Sequence, residues 1–148
     1  IRFPGKPTKN HVWTIMVFDL HRSVDLPHVF LGLNTHSETF YAHFFTKFSQ
    51  FSHVPLGAMQ PYDAAFLNRY TMYAKPEQAV SAERLFHQSM TKHIAERFGA
   101  LAIEVSENNL YLYAENQRPT THLLETMLKS GTWLAQSIDQ QQVEDRDE

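Results

Sequence analysis

Residues 77–113, EQAVSAERLFHQSMTKHIAERFGALAIEVSENNLYLY, contain the clearest change of period in the chain. Up to Phe98 the apolar positions are Val80, Ala82, Leu85, Phe86, Met90, Ile94 and Phe98, at the spacing of one helix face. Glu83, His87 and Thr91 line the other side. Gly99 follows, the residue type that most easily takes the left-handed position after a helix. The period then drops to two. Leu101, Ile103 and Val105 alternate with Ala102 and Glu104, Asn108 and Asn109 supply a turn, and Leu110, Tyr111, Leu112 and Tyr113 return. The stretch predicts one amphipathic helix over 77–98 followed by a β-hairpin.

Toward the C-terminus, Pro119, Thr120 and Thr121 open another helix. Its stripe is Leu123, Leu124, Met127, Leu128, Gly131, Leu134, Ala135 and Ile138. Residues 140–148 are polar and acidic and are expected to fray. Trp133 falls roughly 120° from the centre of the stripe at about 100° per residue, near Thr126, Ser130 and Ser137. In that position it either anchors a protein contact or folds over the helix flank onto a neighbouring loop.

Toward the N-terminus, residues 67–74 read as a strand closed by Lys75 and Pro76. Residues 50–65 hold Pro55, Gly57 and Pro61 and read as loop, with a short strand near 54–56. Thr35 and Glu38 have capping-box spacing, and Phe40, Tyr41, Phe44, Phe45 and Phe48 follow at helical spacing. A short aromatic helix is expected over about 36–49, with its rings either in the core or lining a groove for a partner or ligand. Pro27 opens a short strand over 28–33. Residues 11–20, HVWTIMVFDL, form a strand apolar on both faces, which predicts a central position covered on both sides. The short connection between these two strands favours their antiparallel pairing. The sum is a single α+β domain over 1–148: a mainly antiparallel sheet of about five strands, two long amphipathic helices and one shorter aromatic-rich helix.

Composition narrows the function classes. Apolar residues make up 43% of the chain and charged residues 20%, a globular balance. A net charge of −3 argues against general nucleic-acid binding, which needs a basic excess. The absence of cysteine excludes disulfides and thiolate metal sites. Nine histidines invite a metal reading, but no HExxH pattern occurs. His36 with His43 and Glu83 with His87 have only helical proximity. There is no GxSxG elbow, P-loop or dinucleotide fingerprint. Asp19, His21 and Ser23 lie close in sequence, as turn residues at a strand end often do. No catalytic residue, cofactor or metal ligand is assigned, and the reading leans away from an enzyme. The candidate interaction residues are Trp133, Phe40, Phe44 and Phe48. The chain opens at Ile1, and its first ten residues hold Arg2, Lys6 and Lys9 without an acid. Such a basic leader suits the cytoplasmic flank of a membrane helix lying upstream in a longer protein.

The order of short motifs carries a resemblance. Gly5-Lys6, the strand from Val12 to Leu20, Leu26-Pro27-His28-Val29, Phe66 to Ala74, and Ile103 to Tyr113 follow one another across residues 5–115. This order resembles a family of uncharacterised bacterial proteins with a membrane-proximal α+β domain of unknown function. Residues 52–65 depart from that pattern, which has a compact Leu-Glu-Gly-type entry to the strand. The resemblance implies transmembrane helices before the domain, hence membrane attachment through an upstream segment and a cytoplasmic location. It brings no activity and no site residues. The expected role is a non-catalytic interaction or sensory module of a membrane-anchored bacterial protein, with a protein partner. The alternatives are a metal-dependent hydrolase using histidines and carboxylates, and a carrier of an apolar small ligand.

Overall fold

A computed structural model describes residues 12–21, 25–45 and 48–147. The expected basic leader at 1–10, His11 of the first strand and Ser23 lie outside those residues. The chain folds as an α+β domain around one antiparallel sheet. The strands are β1 (Trp13–Asp19), β2 (Val29–Leu33), β3 (Ser52–His53), β4 (Tyr70–Ala74), β5 (Ala102–Ser106) and β6 (Asn109–Glu115). The helices are α1 (Glu38–Phe44), α2 (Ala64–Arg69), α3 (Ala79–Leu85), α4 (Gln88–Arg97) and α5 (Thr121–Asp147), with 3-10 turns at Phe48–Gln50 and Pro76–Gln78. The sheet order is β1-β6-β5-β2-β4-β3, six strands where about five were expected.

The hairpin forms as its alternation predicts, with Val105 opposite Leu110. Its two turn residues are Glu107 and Asn108, at φ 50° and 63°, rather than Asn108 and Asn109. Two successive left-handed residues give a turn whose twist matches the flanking strands. β1 is a strand, but it lies at the edge of the sheet and pairs only with β6 among the described residues. The expectation of a central strand paired with β2 fails. Its apolar residues do not divide into two covered faces, since Met16 and Phe18 meet the core while Ile15 and Val17 stay in solvent. β2 instead lies between β4 and β5.

The predicted long helix over 77–98 is broken at Phe86, whose φ −98° and ψ 75° end α3. The break is held by polar groups from the preceding loop. The Tyr62 hydroxyl donates to the Phe86 carbonyl at 3.0 Å, and Gln60 Oε1 accepts from Gln88 N at 2.9 Å. His87 then caps α4 by accepting from Met90 N at 3.4 Å. With its backbone groups satisfied this way, the chain can turn without losing hydrogen bonds. Glu83 and Thr91, expected on a solvated side, are buried at 4% and 0% exposure. Glu83 Oε2 accepts from Met59 N at 3.3 Å, and Thr91 Oγ1 donates to the Gln88 carbonyl at 3.1 Å.

The strand expected over 67–74 begins only at Tyr70, because Ala64 to Arg69 form a helical turn and a half behind Asp63. The expected aromatic helix is shorter than 36–49: Ser37 caps α1, which ends at Phe44. The expected strand near 54–56 is replaced by β3 at Ser52–His53. Gly99 takes φ +60°, as expected. The Thr120 hydroxyl caps α5 by accepting from Leu123 N, and α5 runs through Asp147, across residues expected to fray.

The helices α2 to α5 cover one face of the sheet, burying Leu31, Phe66, Met72, Phe86, Ile94, Ile103, Leu112, Met127 and Leu134. Each such side chain contributes about 1.5–3 kcal/mol of hydrophobic stabilisation. The opposite face carries a second, aromatic cluster of Phe30, Tyr41, Phe48, Phe51, Ala102, Tyr73 and Tyr113.

Candidate functional site

The second face gathers its chemistry by strand alternation. Glu104 of β5 points away from the aliphatic core because Ile103 and Val105 point into it. β6 places Tyr111 and Tyr113 on the same side, and β2 adds Phe30, opposite Glu104 in register. Residues 38–45 and 48–51 then lie across this face. Phe45 sits 5.0 Å from Phe30 and 5.1 Å from Tyr113, while Phe48 sits 5.5 Å from Phe30 and 4.9 Å from Tyr73. These are edge-to-face or tilted contacts, the arrangement that ring quadrupoles favour.

Glycine makes the close approach possible. A Cβ at Gly32 would stand 2.6 Å from the Tyr41 ring. With none there, Tyr41 reaches across β2, and its hydroxyl oxygen accepts from Leu33 N at 2.7 Å.

Two histidine–glutamate pairs frame the cluster. His28 Nε2 lies 2.6 Å from Glu104 Oε2, and the Tyr113 hydroxyl donates to Glu104 Oε1 at 2.5 Å. Both oxygens of this carboxylate are therefore engaged. His36 Nε2 lies 2.5 Å from Glu115 Oε1, and its ring stacks on Phe40 at 3.7 Å. Burial pushes the phenols of Tyr41, Tyr73 and Tyr113 up from their usual range, and the charge of Glu104 pushes Tyr113 further. Tyr113 consequently acts as a donor to Glu104 throughout the neutral range.

A cavity of about 240 Å³ opens beside the first pair. His28, Phe30, Phe44, Phe45, Phe48, Phe51, Glu104 and Ser106 line it. Its walls combine aromatic carbon with one carboxylate, one imidazole and one hydroxyl. The His28 ring packs edge-on to Phe51 at 4.6 Å, which fixes the imidazole at the rim.

Of the residues singled out from sequence, Phe44 and Phe48 meet at this cavity. Phe40 belongs to the same aromatic layer but lies over His36 and 6.2 Å from Trp13. Trp133 is on the other side of the sheet, stacked on His93 of α4 at 3.7 Å and packed edge-on to Phe98. The ring packs on α4 rather than on a neighbouring loop. His28, Phe30, Glu104 and Ser106 were not foreseen as a site. A signal existed in the period-two pattern: a glutamate on the strand face that also carries Tyr111 and Tyr113 marks that face as mixed aromatic and polar.

His43 packs edge-on to Phe44 at 4.9 Å, and His36 is engaged with Glu115. Among the described residues, no three His, Asp or Glu side chains converge in a way that would hold a metal ion. Asp19 and His21 are exposed, and His21 N donates to Asp139 Oδ1 at 3.0 Å. No described helix is long and apolar enough to cross a membrane. In comparisons with known proteins, no family model, no curated protein and no solved structure matches this chain.

Proposed function

We propose that this domain is a non-catalytic sensory module of a membrane-anchored bacterial protein, and that it binds a small apolar molecule carrying an amine. The observation that carries this reading is Glu104 on the wall of a cavity lined by five phenylalanines. Aromatic faces attract a cation by about 0.5–2 kcal/mol each, more as water is removed. A carboxylate held among them adds charge complementarity and disfavours an anionic ligand of the same shape. The hydrogen bonds from Tyr113 and His28 hold that carboxylate in one orientation, so little ordering remains for binding to do. The cavity volume suits a ligand of one ring and a short chain.

The test is calorimetric titration with phenethylamine, 2-phenylethanol and phenylacetate, which share a shape and differ in charge. At about 0.5 kcal/mol for each of about nine non-hydrogen atoms, the amine binds with a Kd near a millimolar. The neutral alcohol binds more weakly and the acid not at all. Glu104→Gln keeps the carbonyl acceptor and removes the charge, so it abolishes the preference for the amine. Equal binding of acid and amine, or binding of none of the three at millimolar concentration, sinks the proposal.

A further inference from the structure

Exposed sheet edges in natural proteins are blunted by charge, proline, shortness or cover, because an open edge recruits another strand. The outer edge of β1 has no partner among the described residues. The strand is seven residues long, WTIMVFD, and carries neither charge nor proline before Asp19. Its solvent face exposes Ile15 at 51% and Val17 at 52%.

The helix layer above this edge is also open. Met127, Leu134 and Ile138 mark the buried line of α5. Trp133 lies to one side of that line, where it meets His93 of α4. At about 100° per residue, Leu124 and Leu128 lie to the other side, toward the free edge of β1. They are exposed at 38% and 56% although they belong to the apolar stripe of the helix.

We propose that a second copy of this chain occupies the edge. The two β1 strands pair antiparallel about a two-fold axis at Met16, and the two α5 helices pack side by side through Leu128. In this register Ile15 faces the partner's Val17, so apolar meets apolar on the open face. The helix layer fits the same axis independently. α5 runs in the direction of β1: Gln117, just before the helix, accepts at its carbonyl from Thr14 Oγ1, and Asp139, within it, accepts at its carboxylate from His21 N. Gly131 stands directly over the Phe18 ring. Met16 precedes Phe18 by about 6.6 Å of strand, which is about four residues of helix, so the axis crosses α5 close to Leu128.

α5 rests on both β1 and β6, so strand pairing at β1 brings the two α5 helices to adjacent places in the joined helix layer. Antiparallel helices also bring exposed Glu125 alongside the partner's Lys129, so the charges flanking the contact are opposite. An extended peptide added to β1 would cover Ile15 and Val17 and leave Leu128 in water. A partner with a helix layered on its own edge strand covers both, and this chain is such a partner.

Sedimentation equilibrium of the full chain at about 100 μM, well above the Kd of a specific homodimer, tests the proposal. The expected mass is twice the 17.2 kDa of the chain. Val17→Lys and Leu128→Glu replace side chains exposed in the protomer, so each keeps the far-UV spectrum and weakens the dimer at least tenfold. The chain has no cysteine, so Leu128→Cys places one thiol at the axis and oxidises to a covalent dimer. Gln136→Cys, two turns away, does not. A monomer at this concentration overturns the proposal. So does a dimer indifferent to both charged substitutions, or one cross-linked equally well through position 136. Neither Val17 nor Leu128 lines the amine cavity, so failure of the dimer leaves the amine reading to its own titration.

Discussion

One face of the sheet presents Leu31, Met72, Ile103 and Leu112 to four helices, while the other presents Phe30, Tyr73 and Tyr113 to the short stretches 38–45 and 48–51. Branched aliphatic side chains interdigitate with helix ridges and approach crystal-like density. Flat rings meeting edge-on at 5 to 6 Å tile less completely. The gap left beside Phe44, Phe45 and Phe48 is the cavity that holds Glu104 and His28. The helix face carries the larger aliphatic core, and the ring face carries this aromatic cavity under a cover of two helical turns and a 3-10 turn.

Truncations on the two faces should separate these roles most strongly. Phe66→Ala, fully buried under the helices, should cost about 3–5 kcal/mol and lower the urea midpoint of global unfolding. Phe48→Ala on the ring face should cost less, about 2–3 kcal/mol, because the short cover can collapse into the space. It should also abolish amine binding. Equal costs for the two would break the comparison, since they would make the ring face as continuous a core as the helix face.

The two close-approach glycines give a smaller, more local contrast. A Cβ at Gly131 would stand 2.0 Å from the Phe18 ring, inside helix α5. Gly131→Ala gains about 1 kcal/mol of helix propensity and loses more to overpacking, for a net cost of about 1–3 kcal/mol in denaturant unfolding. Gly32→Ala displaces the Tyr41 ring and with it the hydrogen bond to Leu33 N. Its signature should be faster amide exchange over 38–51 with the exchange of α4 unchanged. Uniformly faster exchange throughout the domain would show that the ring face does not open separately.

The sequence carried much of the helix face and little of the ring face. Period changes at Gly99 located the hairpin, and the stripes of α4 and α5 were visible because aliphatic burial repeats at helical spacing. The break at Phe86 was not, since it depends on Tyr62 and Gln60 supplying hydrogen bonds across more than 20 residues. β1 read as central because its residues are apolar on both sides. Composition does not distinguish a covered face from a face awaiting a second copy. Phe44 and Phe48 were legible as an aromatic stripe, but Glu104 and His28 come together only through the pairing of β2 with β5.

Alkaline titration should tell the faces apart without mutation. Tyr41, Tyr73 and Tyr113 belong to the ring face, Tyr62 and Tyr70 to the helix face, and burial pushes all five phenols up from 10.0. A folded-state value above the unfolded one means that the native state holds its protons longer. The stabilisation is therefore whole below pH 10 and is lost as pH rises above it. Absorbance at 295 nm should show ionisation of the ring-face phenols before far-UV ellipticity falls, with the helix-face pair ionising only on global unfolding. A single coincident transition would mean that the two faces unfold as one unit.

The smallest effect concerns the helix face alone. Desolvation by burial, and secondarily the charge of Arg97, lowers the pKa of His93 from 6.5. Its ring lies flat against Trp133. With the folded value below the unfolded one, the unfolded chain takes the proton first. Stability is whole above pH 6.5 and declines as pH falls from there toward the folded value. The Tm of wild type should fall more between pH 7.5 and pH 5.5 than that of His93→Gln, which keeps a planar polar group on the indole and cannot titrate. A wild-type Tm that rises on acidification relative to the variant would reverse the sign. It would mean that the Trp133 face attracts the imidazolium more strongly than burial and Arg97 oppose it.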